Sequence, residues 1–338
     1  MTENILVTGG AGFIGAHVAK ALAAAGMRPV VIDDLSSGHR AAVRWGPLVE
    51  ADVRDRSALE GVFQRYRPAA LVHLAGLISV GESVAEPGRY YDVNLDSLLA
   101  VAEAMQRHGV ERIVFSGSAS VYGDPDTTPI REDAPMRPGS PYAFTKFAGE
   151  RLLDDYARAH GLRPLTLRYF NAAGADPNGE IGEGHDPETH LIPLAIDAAL
   201  GVGPPLTIFG DDYPTADGSA IRDYVHVSDL ARAHVAALNA LDGGLAPRAV
   251  NIGAGRGASV LETIAVVEQV VGSAVPRTTG PRRAGDSPSL VAATDLARTA
   301  LGWRPEISDL RTVVKTALAW RLKLAKSASE ATPRQAIR

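Results

Sequence analysis

Short continuous apolar runs alternate along this chain with stretches whose apolar residues recur at helical spacing. The runs are Ile5-Leu6-Val7, Pro29-Val30-Val31-Ile32, Ala70-Leu71-Val72-His73-Leu74 and Arg112-Ile113-Val114-Phe115. Each reads as a strand covered on both faces. Ile14 to Ala25 and about Arg89 to His108 carry the helical period between them. A further helix is predicted from Pro141 to Ala159, and a strand from Pro164 to Tyr169. Strands that alternate with helices are joined by crossovers and so pair in parallel. The pattern therefore predicts an α/β fold with a doubly wound parallel sheet. Beyond Asn171 the texture changes, and residues 174–188 and 210–219 are rich in Gly, Asp, Pro and Glu. These read as long loops of the functional kind.

Composition narrows the class. The chain has 338 residues, 46% hydrophobic and 22% charged, which is enough apolar material for a large core. Lys plus Arg is 34 against 39 Asp plus Glu, a net charge of −5. No basic face for nucleic acid is implied, and none is expected as a partner. With no cysteine there is no disulfide, thiolate metal site or cysteine nucleophile. No apolar run approaches the roughly 18–20 residues that cross a bilayer, so no membrane association is expected. Met1 to Asn4 leads straight into a strand, which leaves no room for a signal peptide and points to a cytoplasmic protein.

The candidate chemistry begins at Thr8-Gly9-Gly10-Ala11-Gly12-Phe13-Ile14-Gly15, between the first strand and the first helix. Glycines there permit the tight turn, the approach of a pyrophosphate to the backbone, and close helix–strand packing. The following helix N-terminus offers unpaired N–H groups to the phosphates. Asp33 ends the second strand, where a carboxylate accepts from ribose hydroxyls and repels a 2′-phosphate, favouring NAD over NADP. His39 and Arg40 lie close by and could oppose that preference. The sheet is thus of the Rossmann type. Residues 1–171 are expected to form the nucleotide domain, with segments near 223–255 returning to it. Residues 172–324 should form a smaller C-terminal α/β substrate lobe, and 325–338 a polar, frayed tail.

Tyr142 and Lys146 stand four residues apart and project from one helix face. Lowering a phenol from a pKa near 10 to about 7 needs about 4 kcal/mol. One positive charge about 5 Å away supplies about 3 kcal/mol at an effective dielectric of 20. Upstream, Phe115 to Gly123 runs off a strand end and carries Ser118, the best hydroxyl for the reacting oxygen. His185, Asp186, Glu188 and His190 have metal-ligand side chains but lie in a polar loop without a paired-ligand helix. No metal is expected there. The adjacent Arg222 and Asp223 admit a structural ion pair.

These residues together resemble the extended short-chain dehydrogenase/reductase superfamily. His73-Leu74-Ala75-Gly76-Leu77, Val80-Gly81-Glu82-Ser83 and Arg168-Tyr169-Phe170-Asn171 narrow the likeness to the UDP-glucose (UDP-galactose) 4-epimerases. So do Asp211 to Gly218, Arg222-Asp223-Tyr224-Val225-His226-Val227 with Asp229-Leu230, and Pro281 to Asp286. The likeness spans about residues 4–322, and Asp211 to Leu230 is its most specific part. It implies that Gly9, Gly12, Phe13, Ile14, Gly15, Asp33, Asp52, Val53, Leu74, Ala75, Gly76, Asn94 and Tyr169, with Tyr142 and Lys146, hold NAD. It implies that Asn171, His190, Leu191, Arg222, Arg283, Asp286 and Leu290, with Ser118 and Tyr142, hold a UDP-sugar. Tyr142, Lys146 and Ser118 would be catalytic, inverting C4 of a UDP-hexose through a 4-keto intermediate with transient hydride transfer to bound NAD.

Two positions depart from that pattern. Ile78 stands where relatives often carry a lysine that contacts the cofactor, and Leu290 is intermediate in size beside the sugar's C2 substituent. Ile78 bears on how tightly NAD is retained, Leu290 leaves UDP-N-acetylhexosamine as an alternative substrate, and UDP-xylose/UDP-arabinose is another because its epimerisation uses the same chemistry. Dehydratases and decarboxylases on this scaffold need an acid just after the serine position, where Ala119 and Ser120 stand. A non-catalytic NAD-binding scaffold protein would be expected to lack the Tyr–Lys pair. The resemblance also implies a homodimer, built on helices near 89–108 and 143–160.

Overall fold

A computed structural model describes residues 2–244, 247–283 and 286–331. The first half runs β1 (Asn4–Thr8), α1 (Phe13–Ala24), β2 (Arg28–Asp33), β3 (Leu48–Glu50), α2 (Arg56–Tyr66), β4 (Ala70–His73), α3 (Val80–Ala85) and α4 (Pro87–His108). It continues with β5 (Arg112–Ser118), α5 (Pro141–His160), β6 (Arg163–Tyr169) and β7 (Asn171–Ala173). The remainder is α6 (Leu191–Ala199), β8 (Leu206–Phe209), β9 (Ile221–His226), α7 (Val227–Asp242), β10 (Ala249–Ile252), β11 (Gly257–Ser259) and α8 (Val260–Val271). β12 (Arg277–Gly280), β13 (Ser289–Leu290), α9 (Asp295–Leu301) and α10 (Leu310–Ala331) close it.

Seven strands form one parallel sheet in the order β10-β6-β5-β4-β1-β2-β3. The expected doubly wound α/β fold is present. Side chains alternate across each strand, so β1 sends Ile5 and Val7 to one core and Leu6 to another. The first core packs Val18 and Leu22 of α1 and Leu230 and Leu238 of α7. The second packs Leu59 and Phe63 of α2, Leu98 and Met105 of α4, and Leu153 of α5. Strand order reverses at β1, with β2 on one side and β4 on the other. Ligands in open α/β sheets lie beyond the carboxyl ends of the strands at such a switch point.

A second, four-stranded sheet has the order β11-β9-β13, with β7 also on β9, and β8 pairs with β12. Ile192, Ile196, Ile208, Ile264, Val267 and Val313 fill its core. The chain enters this lobe at β7, returns to the large sheet with α7 and β10, and leaves again at β11. α10 continues to Ala331, beyond the expected start of a frayed tail at 325. That segment is alanine-rich, and alanine has the highest helix propensity, so low hydrophobicity alone does not end the helix. The rest of the expected tail, 332–338, lies outside the described residues. Among those described, no helix is long and apolar enough to cross a membrane.

Candidate active site

The glycine turn is fixed by space. Gly9 has φ +69°, and a Cβ there would lie 2.7 Å from the Ala75 nitrogen. A Cβ on Gly15 would sit 2.1 Å from the Gly9 carbonyl oxygen, so α1 packs on the turn only with glycine at that position. A Cβ on Gly12 would meet nothing but the Gly9 oxygen at 3.4 Å, which leaves its other side open. Gly12 caps α1 without a side-chain hydrogen bond. The N–H groups of Phe13, Ile14 and Gly15 therefore lack intrahelical acceptors and face the switch point. The turn fits the pyrophosphate of a dinucleotide.

Asp33 is buried and holds the turn together. Its Oδ2 accepts from Ala11 N and its Oδ1 from Leu35 N, both at 2.9 Å. Burial pushes its carboxyl up while these bonds pull the other way. One lone pair on each oxygen remains for ribose hydroxyls. Arg40 is engaged by Glu50, and His39 Nε2 lies 2.7 Å from the Gly184 oxygen, so both neighbours that could have favoured a 2′-phosphate are occupied. Val53 is buried, and Asp52 is held by Arg54 through three guanidinium contacts and its backbone N–H. Leu74, Ala75 and Gly76 follow β4, where Thr8 Oγ1 accepts from Leu74 N and Ala75 N. Asn94 anchors that loop, accepting from Leu77 N at 2.8 Å and donating to Leu77 O and Thr145 Oγ1.

Ser140 caps α5 and Pro141 occupies its first turn, which puts Tyr142 at the cleft end of the helix and Lys146 one turn inside. Lys146 is 5% exposed, with Nζ 5.9 Å from the Tyr142 ring centre and 5.3 Å from that of Phe115. Burial without a carboxylate lowers its pKa to about 8. Ser118 closes β5; its Oγ accepts from Ser120 N and Ser120 Oγ and bonds the Tyr142 phenol. Burial pushes Tyr142 up and this bond pulls it down. Tyr142, Lys146 and Ser118 thus converge beyond β5, on the same carboxyl edge of the sheet as the glycine turn.

The Tyr169 hydroxyl is held by His234 of α7. His234 Nδ1 lies 2.9 Å from the Leu230 carbonyl, which needs a donor there, so Nε2 is the acceptor and Tyr169 donates. Burial keeps His234 neutral, with its pKa lowered to about 4. Nothing at short spacing signals this partner. Tyr90 of α4 was also missed; its ring stands edge-on to Tyr142 at 6.5 Å.

The residues assigned to substrate come from four segments. Asn171 begins β7, and His190 and Leu191 open α6. Arg222 donates to Ile221 O and Ser287 O and pairs with Asp286. The alternative Arg222–Asp223 ion pair is absent, because neighbours on a strand point to opposite faces. Asp223 instead accepts from the backbone N–H groups of Ala254, Gly255 and Ala292, and burial raises its pKa to about 6. The Arg283 guanidinium lies 4.0 Å from the Phe209 ring centre. Leu290 sits opposite Arg222 and packs against the cluster of Tyr122, Ala119 and Phe170. Ile78 is 49% exposed and offers no donor. In the loop before α6 the structure groups Glu183 with His185, Glu188 and His190; Asp186, expected in that set, is outside it.

A model of the NAD dependent epimerase/dehydratase family matches residues 5–253. The UDP-glucose 4-epimerase of Azospirillum brasilense is 49% identical over 331 residues, which is 98% of this chain and 95% of that protein. The crystal structure of UDP-glucose 4-epimerase from Brucella ovis in complex with NAD superposes with TM-score 0.91 at 47% identity, covering 94% of this chain and 98% of that one. A UDP-glucose 4-epimerase from Stenotrophomonas maltophila, with bound NAD and formylated UDP-arabinopyranose, has TM-score 0.91 at 39% identity, covering 96% and 99%.

Proposed function

The chain belongs to the NAD dependent epimerase/dehydratase family, and from that premise we infer that it inverts C4 of a UDP-hexose, interconverting UDP-galactose and UDP-glucose. The observation that carries this is the convergence of Tyr142, Lys146 and Ser118 on the sheet edge that also carries a dinucleotide turn, with Ala119 and Ser120 where other chemistries need an acid. A pair able to move one proton, with no further acid beside it, suits oxidation followed by reduction at one carbon. Bound NAD supplies the hydride acceptor and donor for the two halves of that cycle.

Tyr142 takes the proton from the sugar's 4-hydroxyl and later returns it. Because burial raises the phenol, its ionised form depends on a nearby cation. Lys146 fills that role: at about 6 Å and an effective dielectric of 20, its charge is worth about 3 kcal/mol. Ser118, already accepting from Ser120, has its own proton free to donate to the phenol oxygen. Gly12 and the first turn of α1 hold the cofactor's phosphates, and Asp33 its ribose. Arg222 and Arg283, one fixed by Asp286 and one stacked on Phe209, carry the charge to hold the substrate's diphosphate while the sugar turns over. Asn171, His190, Leu191, Asp286 and Leu290 complete that side.

Proton NMR of UDP-galactose incubated with the purified protein tests the assignment. Anomeric signals of UDP-glucose should grow to an equilibrium mixture. Their absence with NAD supplied would overturn it.

We also propose that the protein is a homodimer through α4 and α5. Tyr91 and Phe144 are 39% and 42% exposed and stack edge-on across the two helices. Phe147, Leu152 and Tyr156 extend the same apolar groove. Adjacent exposed aromatics of this kind mark an interface. Sedimentation should give twice the chain mass, and Phe144→Glu should shift the protein to monomer.

A further inference from the structure

The loop between β7 and α6 gathers four potential ligands. One donor atom each from Glu183, His185, Glu188 and His190 lies within 4.8 Å of all the others. His190 Nδ1 is 2.8 Å from Glu183 Oε1 and 2.9 Å from Glu188 Oε1, and His185 Nδ1 is 3.1 Å from Glu183 Oε1. The Glu183 and Glu188 side chains are only 7% and 8% exposed. Both imidazoles bond Glu183 Oε1, and Glu188 Oε1 accepts from the backbone N–H groups of Thr189 and His190 beside the His190 ring. These bonds leave Glu188 Oε2 buried with no hydrogen-bond partner. A buried anionic oxygen without a donor is costly, and a cation at the centre of the group removes the cost.

We propose that Glu183, His185, Glu188 and His190 form a binding site for a divalent first-row transition metal, of which Zn²⁺ is the probe ion. Two imidazole nitrogens and two carboxylates are a borderline donor set of the kind zinc takes, with bonds of about 2.0–2.2 Å. Hard Mg²⁺ or Ca²⁺ favours all-oxygen sites. Four protein ligands close the coordination sphere, so the ion is structural, and through His190 it borders the side assigned to substrate.

The loop's outer contacts say what the ion would stiffen. Glu183 O accepts from Trp320 Nε1 of α10 at 2.9 Å. Gly184 O lies 2.7 Å from His39 Nε2, and the His185 ring stands edge-on to Phe13 at 6.3 Å. The metal would therefore tie the substrate lobe's loop to the first turn of α1, where the cofactor's phosphates are expected.

The test uses untagged full-length protein stripped with a chelator. Titration with Zn²⁺ should give one ion per chain by mass spectrometric metal analysis and raise Tm. Co²⁺ in the same site should develop the visible absorption of a four-coordinate ion. Glu188→Gln, which keeps the shape of the side chain, should weaken Zn²⁺ by at least about tenfold, since even outer-shell changes cost that much. His185→Ala should do the same. Failure of the unmutated protein to hold Zn²⁺ or Co²⁺ above buffer level would overturn the proposal. So would unchanged affinity in both variants, which would place the ion elsewhere.

Discussion

Two buried cations meet at α5, one on the helix and one on β6 beneath it, and their surroundings are opposite. Arg168 on β6, 4% exposed, meets Glu150 through two bonds, Nε–Oε1 at 2.9 Å and Nη2–Oε2 at 2.7 Å. It also donates to the Tyr122 hydroxyl and to Glu132 O. Burial works against its charge, but Glu150 raises its pKa regardless. Lys146, one helical turn before Glu150 and 5% exposed, has no such partner and is lowered to about 8. The first cation is spent on holding α5 to the sheet. The second keeps an unused charge beside a phenol, and a charge left unpaired in a cleft marks the place where an anion forms during chemistry.

The largest effect is expected at the phenol that Lys146 serves. Tyr142→Phe should lower kcat by about a thousandfold, within the range general acid–base groups contribute, with circular dichroism unchanged. A loss of only a few-fold would mean another group moves the proton. Glu150→Gln should come next, destabilising the protein by about 3–5 kcal/mol in urea unfolding, because it strands the Arg168 charge.

Lys146→Met should go the other way in stability. The folded state disfavours the lysine proton, so the unfolded chain binds more protons between the folded pKa of about 8 and the ordinary 10.5. The penalty is full below pH 8 and gone above 10.5. At pH 7 the variant should be more stable by up to about 3 kcal/mol, and that advantage should fade across this window, while turnover is lost. Urea midpoints at pH 7 and 10 measure it. The smallest effect concerns the sugar pocket. Leu290→Tyr should lower turnover of UDP-N-acetylgalactosamine about tenfold relative to UDP-galactose, as added bulk in a pocket does.

What could be read from the chain beforehand was local. The Gly9 to Gly15 turn is set by clashes within a few residues, and Tyr142 and Lys146 meet because a helix repeats every 3.6 residues. Ser118 was legible because the strand that carries it ends at the switch point. Partners chosen by tertiary packing were not. Arg222 pairs with Asp286 across 64 residues rather than with its neighbour Asp223. His234 meets Tyr169 from a helix 65 residues on, and Glu150 meets Arg168 from the preceding helix. Near Glu188, loop geometry brought in Glu183 and left out Asp186, a choice that ligand spacing alone cannot make. The helical run past Ala325 failed for a different reason, since intrinsic propensity there outweighed the missing apolar period.

Tyr142 and Lys146 support oxidation and re-reduction at one carbon without release of the sugar. UDP-galactose carrying deuterium at C4 tests it most directly, with the product examined by NMR. The UDP-glucose formed should retain the deuterium at C4, because the hydrogen leaves and returns within one active site. Product carrying solvent hydrogen at C4 would contradict it, since that result requires removal of the carbon-bound hydrogen as a proton.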